Sequence, residues 1–304
     1  MPGVIDLVDD TVATLAETCD GLSAMGVDFD DPERLDNAAR WLRRLGNDKQ
    51  FLGDVLVAEL AQRHREDVLD SSYGPQVVIL APPNGNFFIR ANIWPSTDEH
   101  MLRASGGTSF VYGLPHDHNF SFLTMGYFGP GYWSDYYEYD YEAVTGFTGE
   151  EVPSLRFVER SRLEEGKLML YRAHRDVHAQ HPADALSVSL NIMHTTGAQG
   201  WLDQYRFDLD QRRIGAIVSG GPSEAFMRIA VGLGGAEALD LAHRFAHCHP
   251  SDRMRLACWD ALAAVATAQE RDGLWSAAEQ AGSRLVAAEA RRRRAELAAS
   301  GKRT

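Results

Sequence analysis

Cysteine is scarce in this chain of 304 residues: Cys19, Cys248 and Cys258 are the whole set. The number is odd and no two form a CxxC pair, which argues against a disulfide framework and a cysteine-held zinc and leaves the three as packing residues. Long apolar runs are missing as well. Nothing approaches the ~18 consecutive apolar residues of a membrane span, so no membrane partner is expected. Positive charge is in the minority, with 30 Lys and Arg against 43 Asp and Glu and a net charge of −13. A surface so charged repels phosphate, and no nucleic-acid partner is expected. The one basic run, RRRR at 291–294, continues into AELAAS and reads as a solvated helix face. The opening MPGVIDLVDDTVATLAE has neither the basic and apolar segments of a secretory signal nor the arginines of a transit peptide, so the expected location is cytoplasmic.

What is present is ordinary globular material, 44% hydrophobic and 24% charged. The chain exceeds the usual size of one domain, so a single core with a further helical unit is expected. The pattern changes twice. Residues 1–75 read as an N-terminal helical region: VDDTVATLAETCDGL and DPERLDNAARWLRRLGNDKQFLGDVLVAELAQRHRED space apolar residues by three and four. Asp31 before Pro32 and Glu33 suits a helix start. From 76 to 220 short runs rich in Val, Ile, Phe, Tyr and Trp alternate with Gly, Pro, Asn and Asp: QVVILA, FFIRANIW, TSFVYGLP, HNFSFLTMGYF, WSDYYEYDY, LRFVERSRL, KLMLYRA, ALSVSLNIMH and WLDQYRFDL. Many short, evenly spaced strands without intervening helices indicate a sandwich or barrel rather than a parallel βαβ sheet. Residues 221–304 return to helical spacing, with Ser223 and Ser251 as N-cap candidates and stacked hairpins as the expected arrangement. Such hairpins would suit a protein-docking tail or a homodimer interface.

The chemistry concentrates on PHDHNFSFLTMGYFG, where His116 and His118 stand two apart. In an extended segment side chains alternate, so both imidazoles face one side and can share a ligand while Asp117 faces the other. Downstream, LEEGKLMLYRAHRDVH sets a Gly turn before a strand, with His174 or His178 near its end.

These two segments resemble the motifs of the cupin superfamily. The first motif there is HxH leading into a strand that ends in Gly, matched by His116, His118 and Gly126; the second sets its ligand histidine about a dozen residues after a Gly, matched by Gly166 and His178. His174 falls where the family usually has Gly. The likeness spans about 80–215 and implies a mainly β fold, a cupin-like (double-stranded β-helix) barrel with helical N-terminal and C-terminal regions. It implies a metal held by His116, His118 and a third histidine taken as His178, with His174 the alternative. Phe122 and Leu123 stand where the family's usual glutamate lies. The remaining three-histidine set resembles that of thiol dioxygenases and other cupin oxygenases.

Three neutral imidazoles suit Fe(II) first, with Zn, Mn, Cu or Ni as alternatives, and leave open positions for exchangeable ligands. The expected function is therefore a non-haem iron oxygenase, an oxidoreductase of the dioxygenase or hydroxylase type, using dioxygen on a small-molecule or peptide substrate, with 2-oxoglutarate as an optional co-substrate. The alternatives are a Zn- or Mn-dependent hydrolase or isomerase, and a non-catalytic binding module. Arg90 and Arg172 are candidates for clamping a carboxylate, with a surface salt bridge as the competing account of each. Tyr171 and Asn191 complete the candidate site residues. The aromatic stretch from Tyr132 to Tyr141 suits either a substrate lip or strand packing, and His243, His247 and His249 form a weaker second cluster without HExxH spacing.

Overall fold

A computed structural model describes residues 2–63 and 76–300. Residues 64–75, which hold the end of the helical pattern read through His64, Arg65 and Glu66, lie outside the described residues. Helices carry a larger share of the described residues than strands, so the chain as a whole is mixed in content and its β character belongs to the middle of the sequence. The chain divides into two compact units: the first takes residues 1–143, 151–196 and 204–216, the second residues 144–150, 197–203 and 217–304. The N-terminal helices thus belong to the same unit as the sheets.

In the first unit a short strand β1 (Gly3–Val4) precedes three helices, α1 (Leu15–Met25), α2 (Pro32–Asn47) and α3 (Phe51–Arg63). Asp31 caps α2 through its side chain, which accepts from the amides of Glu33 and Arg34, and Pro32 occupies the first turn where no donor is missed. Strands β2 (Val77–Asn84) and β3 (Phe87–Trp94) form a hairpin, followed by the short helix α4 (His100–Ser105). The remaining strands are β4 (Phe122–Phe128), β5 (Tyr132–Glu138), β6 (Arg156–Leu163), β7 (Leu168–Tyr171), β8 (Asp176–Gln180), β9 (Ser187–His194), β10 (Tyr205–Asp208) and β11 (Arg213–Ile217). They make a six-stranded sheet ordered β1-β7-β4-β9-β3-β2, a three-stranded sheet β6-β5-β8 and the pair β10-β11. The pairings within the two larger sheets are antiparallel. The TSFVYGLP segment is not a strand: residues 107–110 form a 3-10 turn and Val111 takes a left-handed backbone with φ of 52°, which ends any ladder there.

Period-two alternation gives the central strands two different faces, one wholly apolar and one that mixes aromatic residues with buried polar ones. On β3, Phe87, Ile89 and Ala91 pack with Leu123 and Met125 of β4, Leu190 and Ile192 of β9, and Leu42 and Leu45 of α2. The amphipathic N-terminal helices therefore cover one face of the large sheet, and each fully buried leucine there contributes about 1.5–3 kcal/mol. The other face carries Trp94, Phe122, Tyr171 and Met193, which pack with Tyr132 and Tyr136 of β5. The site lies on that second face.

Two glycines let the end of β4 meet the turn that precedes β7. Gly166, with φ of 80°, donates its amide to the carbonyl of Gly126 at 2.8 Å, and Gly126 donates to Lys167 O at 3.1 Å. A side chain at Gly126 would place Cβ 2.1 Å from the Glu164 carbonyl oxygen. Both motif glycines are thus required by close backbone approach and turn geometry.

The second unit holds α5 (Ser223–Gly232), α6 (Ala236–Cys248), α7 (Asp252–Val265), α8 (Ala268–Glu279) and α9 (Arg284–Ser300) around Trp259, Leu262, Trp275 and Val286. Ser251 caps α7 by accepting from the amide of Met254. Ser223 instead lies inside α5, whose preceding residue is Pro222. The basic run is not a free charged face: Arg291 and Arg294 reach Glu279, Arg292 reaches Glu289 and Glu296, and Arg293 reaches Asp260 and Glu289. Of the cysteines Cys258 is buried and Cys19 half-buried, whereas Cys248 is exposed, its thiol donating to the Arg244 carbonyl one turn back. Among the described residues no helix is long and apolar enough to cross a membrane.

Candidate metal centre

The segment ahead of β4 brings two histidines beside a third from the far end of the sequence. His116 and His178 exchange both backbone hydrogen bonds at 3.0 Å, and His116 also bridges Arg206 on the other side. The HxH segment is therefore an extra, extended rung between β8 and β10 rather than the start of β4. Asp117 points the opposite way, fully buried: one carboxylate oxygen accepts from the Tyr205 amide at 2.6 Å and the other from the Tyr139 hydroxyl at 2.5 Å. Those two bonds fix the segment's rotation and thereby aim His116 and His118 inward.

The three imidazoles converge. His178 Nε2 lies 3.0 Å from His118 Nε2 and 3.3 Å from His116 Nε2, and all three side chains are buried. His116 Nδ1 is 2.7 Å from the Leu114 carbonyl, which only accepts, so Nδ1 carries the proton and Nε2 keeps its lone pair. Burial lowers the pKa of His116, and lowers those of His118 and His178 well below the usual histidine value, with neighbouring imidazoles adding to the effect. The group is thus neutral and ready to donate lone pairs. His178 Nε2 has a further contact, 3.0 Å to the side-chain nitrogen of Gln180. One nitrogen cannot satisfy three close polar neighbours as hydrogen bonds, whereas a cation at the shared focus satisfies every lone pair at once. The donor set fits a divalent metal. Among the described residues this is the one group with that geometry, and His243, His247 and His249 do not form a second. His249 instead packs against Trp201 and Phe245, and His247 against Trp259.

His174 is placed elsewhere. It adopts a left-handed backbone with φ of 56°, lies against the Tyr141 ring at 4.2 Å, and burial pushes its pKa down to about 4. Its amide donates to His118 O at 2.8 Å, so it shapes the backbone of the site while its ring lines a different cleft with Glu138 and Arg156.

A cavity of about 290 Å³ opens over the centre. Arg90, Asn92 and Trp94 line it from β3, Asn191 from β9, Phe122 from β4 and Tyr132 from β5, with the buried Gln76 beside them. Asn191 donates to Asn92 Oδ1 at 3.2 Å, and Arg90 stands opposite Asn191 in the β3–β9 register. Tyr171 sits behind the histidines: its ring stacks on Phe122 at 4.5 Å and touches His178 at 4.9 Å, and its hydroxyl pairs with that of Tyr136 at 2.8 Å. Arg172 does not line the cavity; its guanidinium bonds Asp176 and Glu138 at 2.5 and 2.9 Å. The aromatic stretch divides likewise, Tyr132 facing the cavity and Tyr136 and Tyr139 packed. The sequence reading missed Gln180, Asn92 and Gln76. For Gln180 the signal was present, because two residues beyond His178 on one strand means the same face.

The antiparallel sheets of the middle region and the three-histidine group agree with the cupin likeness, whereas the helical content makes the chain mixed rather than mainly β. No protein-family model matches the chain, and no curated protein matches it. Among solved structures it is similar to a DMSP lyase at 18% identity over 49% of this chain and 65% of that one, with a TM-score of 0.28. It is similar to a DMSP lyase from Ruegeria pomeroyi at 8% identity over 65% and 79% of the two chains, TM-score 0.26. It is also similar to a putative mannose-6-phosphate isomerase from Ralstonia eutropha at 12% identity over 43% and 94%, TM-score 0.21. This chain thus spans just under two thirds of the first of these, and likeness at such scores decides nothing about its activity.

Proposed function

We propose that this chain is a metal-dependent enzyme of cupin type, and within that class a non-haem Fe(II) oxygenase acting on a small anionic molecule. One observation carries the reading: three buried, neutral imidazoles focus on one point beneath a cavity that Arg90 lines and into which, among the described residues, no carboxylate projects. A divalent ion held by neutral ligands keeps its full charge, and with the guanidinium nearby the cavity demands negative charge from its guest. Fe(II), when bound, supplies dioxygen activation and open positions for a chelating substrate.

The chain's own residues divide the remaining work. Arg90 binds a carboxylate of the substrate, or of 2-oxoglutarate if that co-substrate is consumed, in the bidentate manner guanidinium geometry favours. Asn191 and Asn92, bonded to each other, orient that group from the same wall. Phe122 and Tyr132 exclude water from the other sides, and the cavity's size matches a small molecule better than a peptide. Tyr171 acts as a positioning residue, because its ring packs against His178 and its hydroxyl is occupied by Tyr136.

The test is metal analysis of freshly purified protein followed by oxygen uptake with Fe(II), with and without 2-oxoglutarate, over a panel of small carboxylic acids. His116→Ala, His118→Ala and His178→Ala should each lose the ion, while His174→Ala and His181→Ala keep it; His181 is already engaged by Asp135 at 2.9 Å. Turnover with Zn or Mn and without oxygen uptake would replace the oxygenase reading with a Lewis-acid hydrolase or isomerase. Retention of metal by the His178 variant would end both.

A further inference from the structure

The side chain of Gln180 touches a ligand histidine, and neither the HxH segment nor that histidine accounts for its presence there. It follows His178 by two residues on β8, opposite Ser134 in the β5–β8 register, and is almost wholly buried. Its backbone is fixed, since its carbonyl accepts from Gly113 at 2.9 Å. Its side-chain nitrogen lies 3.0 Å from His178 Nε2, while its side-chain oxygen is buried without a hydrogen-bond partner. A buried amide oxygen left unsatisfied costs about 1–3 kcal/mol. Glutamine offers fully hydrogen-bonded alternatives on any surface strand, so its burial here calls for a partner that takes the oxygen.

The spacing names that partner. Two donors bound to one ion at about 2.1 Å and at right angles stand about 3.0 Å apart, and at the tetrahedral angle about 3.4 Å. His118 and His116 stand 3.0 and 3.3 Å from His178 Nε2, and the Gln180 amide stands 3.0 Å from the same atom. The amide head is therefore at ligand distance from its neighbour, as the imidazoles are. A carboxamide's two ends have nearly the same shape, and a half-turn about its last bond exchanges them at little steric cost. That half-turn places the oxygen where the nitrogen stands and removes an N–H from the path of the His178 lone pair.

Resting on the metal-centre reading above, we propose that Gln180 is a fourth protein ligand of the His116–His118–His178 centre, binding the cation through its side-chain amide oxygen. The set is then three imidazoles and one carboxamide, all neutral. An octahedral ion keeps two further positions for a bidentate anion, which agrees with a cavity lined by Arg90 and by no described carboxylate. The glutamate that cupin-like sequences usually carry on the first motif is replaced here by Phe122, and a neutral donor enters from the second motif's strand instead. Gln180 thus sets the charge of the centre, and the centre's charge selects the substrate's.

The experiment is Co(II) titration of the full chain, reading the dissociation constant, the stoichiometry and the visible d–d absorption for wild type, Gln180→Leu, Gln180→Glu and His118→Leu. Metal-free melting curves establish that each variant folds. The expected result is one Co(II) per wild-type chain, at least tenfold weaker binding with an altered d–d spectrum in Gln180→Leu, and recovery to wild-type affinity or better in Gln180→Glu, whose carboxylate oxygen occupies the same place. A role for Gln180 as N–H donor to His178 would not be rescued by glutamate, which keeps the shape and an oxygen donor but lacks the N–H, and a space-filling role would leave the d–d spectrum of Gln180→Glu as in wild type. If Gln180 merely donates an N–H to His178, removing it frees that lone pair, and Gln180→Leu would bind Co(II) as tightly as wild type or more so; that outcome overturns the proposal and leaves the three-histidine centre standing. If Gln180→Leu fails to fold, Gln180→Glu decides alone: weaker binding or an unchanged d–d spectrum overturns the proposal, and wild-type or tighter affinity with a shifted spectrum supports it. Failure of wild type to bind Co(II), or equal binding by His118→Leu, overturns the metal centre and the fourth ligand together.

Discussion

Replacing His118 by leucine should make the metal-free protein more stable and abolish its stabilisation by metal. His118 is buried with Phe120 and Phe122 rings each 4.9 Å away, and its Nδ1 has no hydrogen-bond partner. Leaving that polar atom unsatisfied costs about 1–3 kcal/mol. Its Nε2 also faces His178 Nε2 at 3.0 Å, two lone-pair atoms that only a proton or a cation reconciles. Leucine is of similar volume, removes both penalties and adds apolar contact with the two phenylalanines. The expected gain is about 1–3 kcal/mol, or a rise of a few degrees in Tm for a body of this size. A metal at a thousandfold its Kd stabilises the wild type by about 4.1 kcal/mol and the variant not at all, so the order of the two reverses on adding metal. Calorimetric or dichroism melts of both proteins, with chelator and with Co(II), read this directly. A metal-free variant less stable than wild type by 1 kcal/mol or more would refute the view that the centre stores unsatisfied polar groups for the ion.

The metal-free protein should lose stability as pH falls below about 6.5. Burial holds the pKa values of His116, His118 and His178 below that ordinary value, so the unfolded chain binds protons that the folded one refuses. The stability is intact above pH 6.5 and falls below it by up to roughly 4 kcal/mol per pH unit with all three groups contributing; denaturant melts between pH 5 and 8 measure the slope, and a flat profile counts against three buried neutral imidazoles. Asp117→Ala should cost about 2–6 kcal/mol, because it strips two buried neutral donors, the Tyr205 amide and the Tyr139 hydroxyl, of their acceptor at about 1–3 kcal/mol each. In the fraction that folds, it should weaken metal binding as well, and a stable variant with full metal affinity would show that the HxH segment is aimed by something else. Gly126→Ala should destabilise by several kcal/mol or prevent folding, since its Cβ would stand 2.1 Å from a backbone oxygen that cannot move alone; soluble expression and melting temperature check it.

Much of this was legible in the chain because it depends on short-range rules. The Asp31–Pro32 helix start and the same-side placement of His116 and His118 follow from capping and alternation preferences. The failures share a cause too. TSFVYGLP has strand composition yet turns at Val111, and His178 lies on its own strand, β8, beyond a left-handed His174 that no composition announces. Arg172 had two readings, a substrate clamp and a salt bridge, and only the fold set Asp176 and Glu138 beside it.

Composition, spacing and the period of two were enough to determine that a β-rich region stands between helical ones and that two imidazoles share a side. Which third histidine joins them, which arginine faces the cavity, and that Gln180 stands at ligand distance were decided only by strand pairing. Such pairings join residues about sixty positions apart, and the backbone bonds between His116 and His178 depend on the register of whole sheets rather than on any local preference.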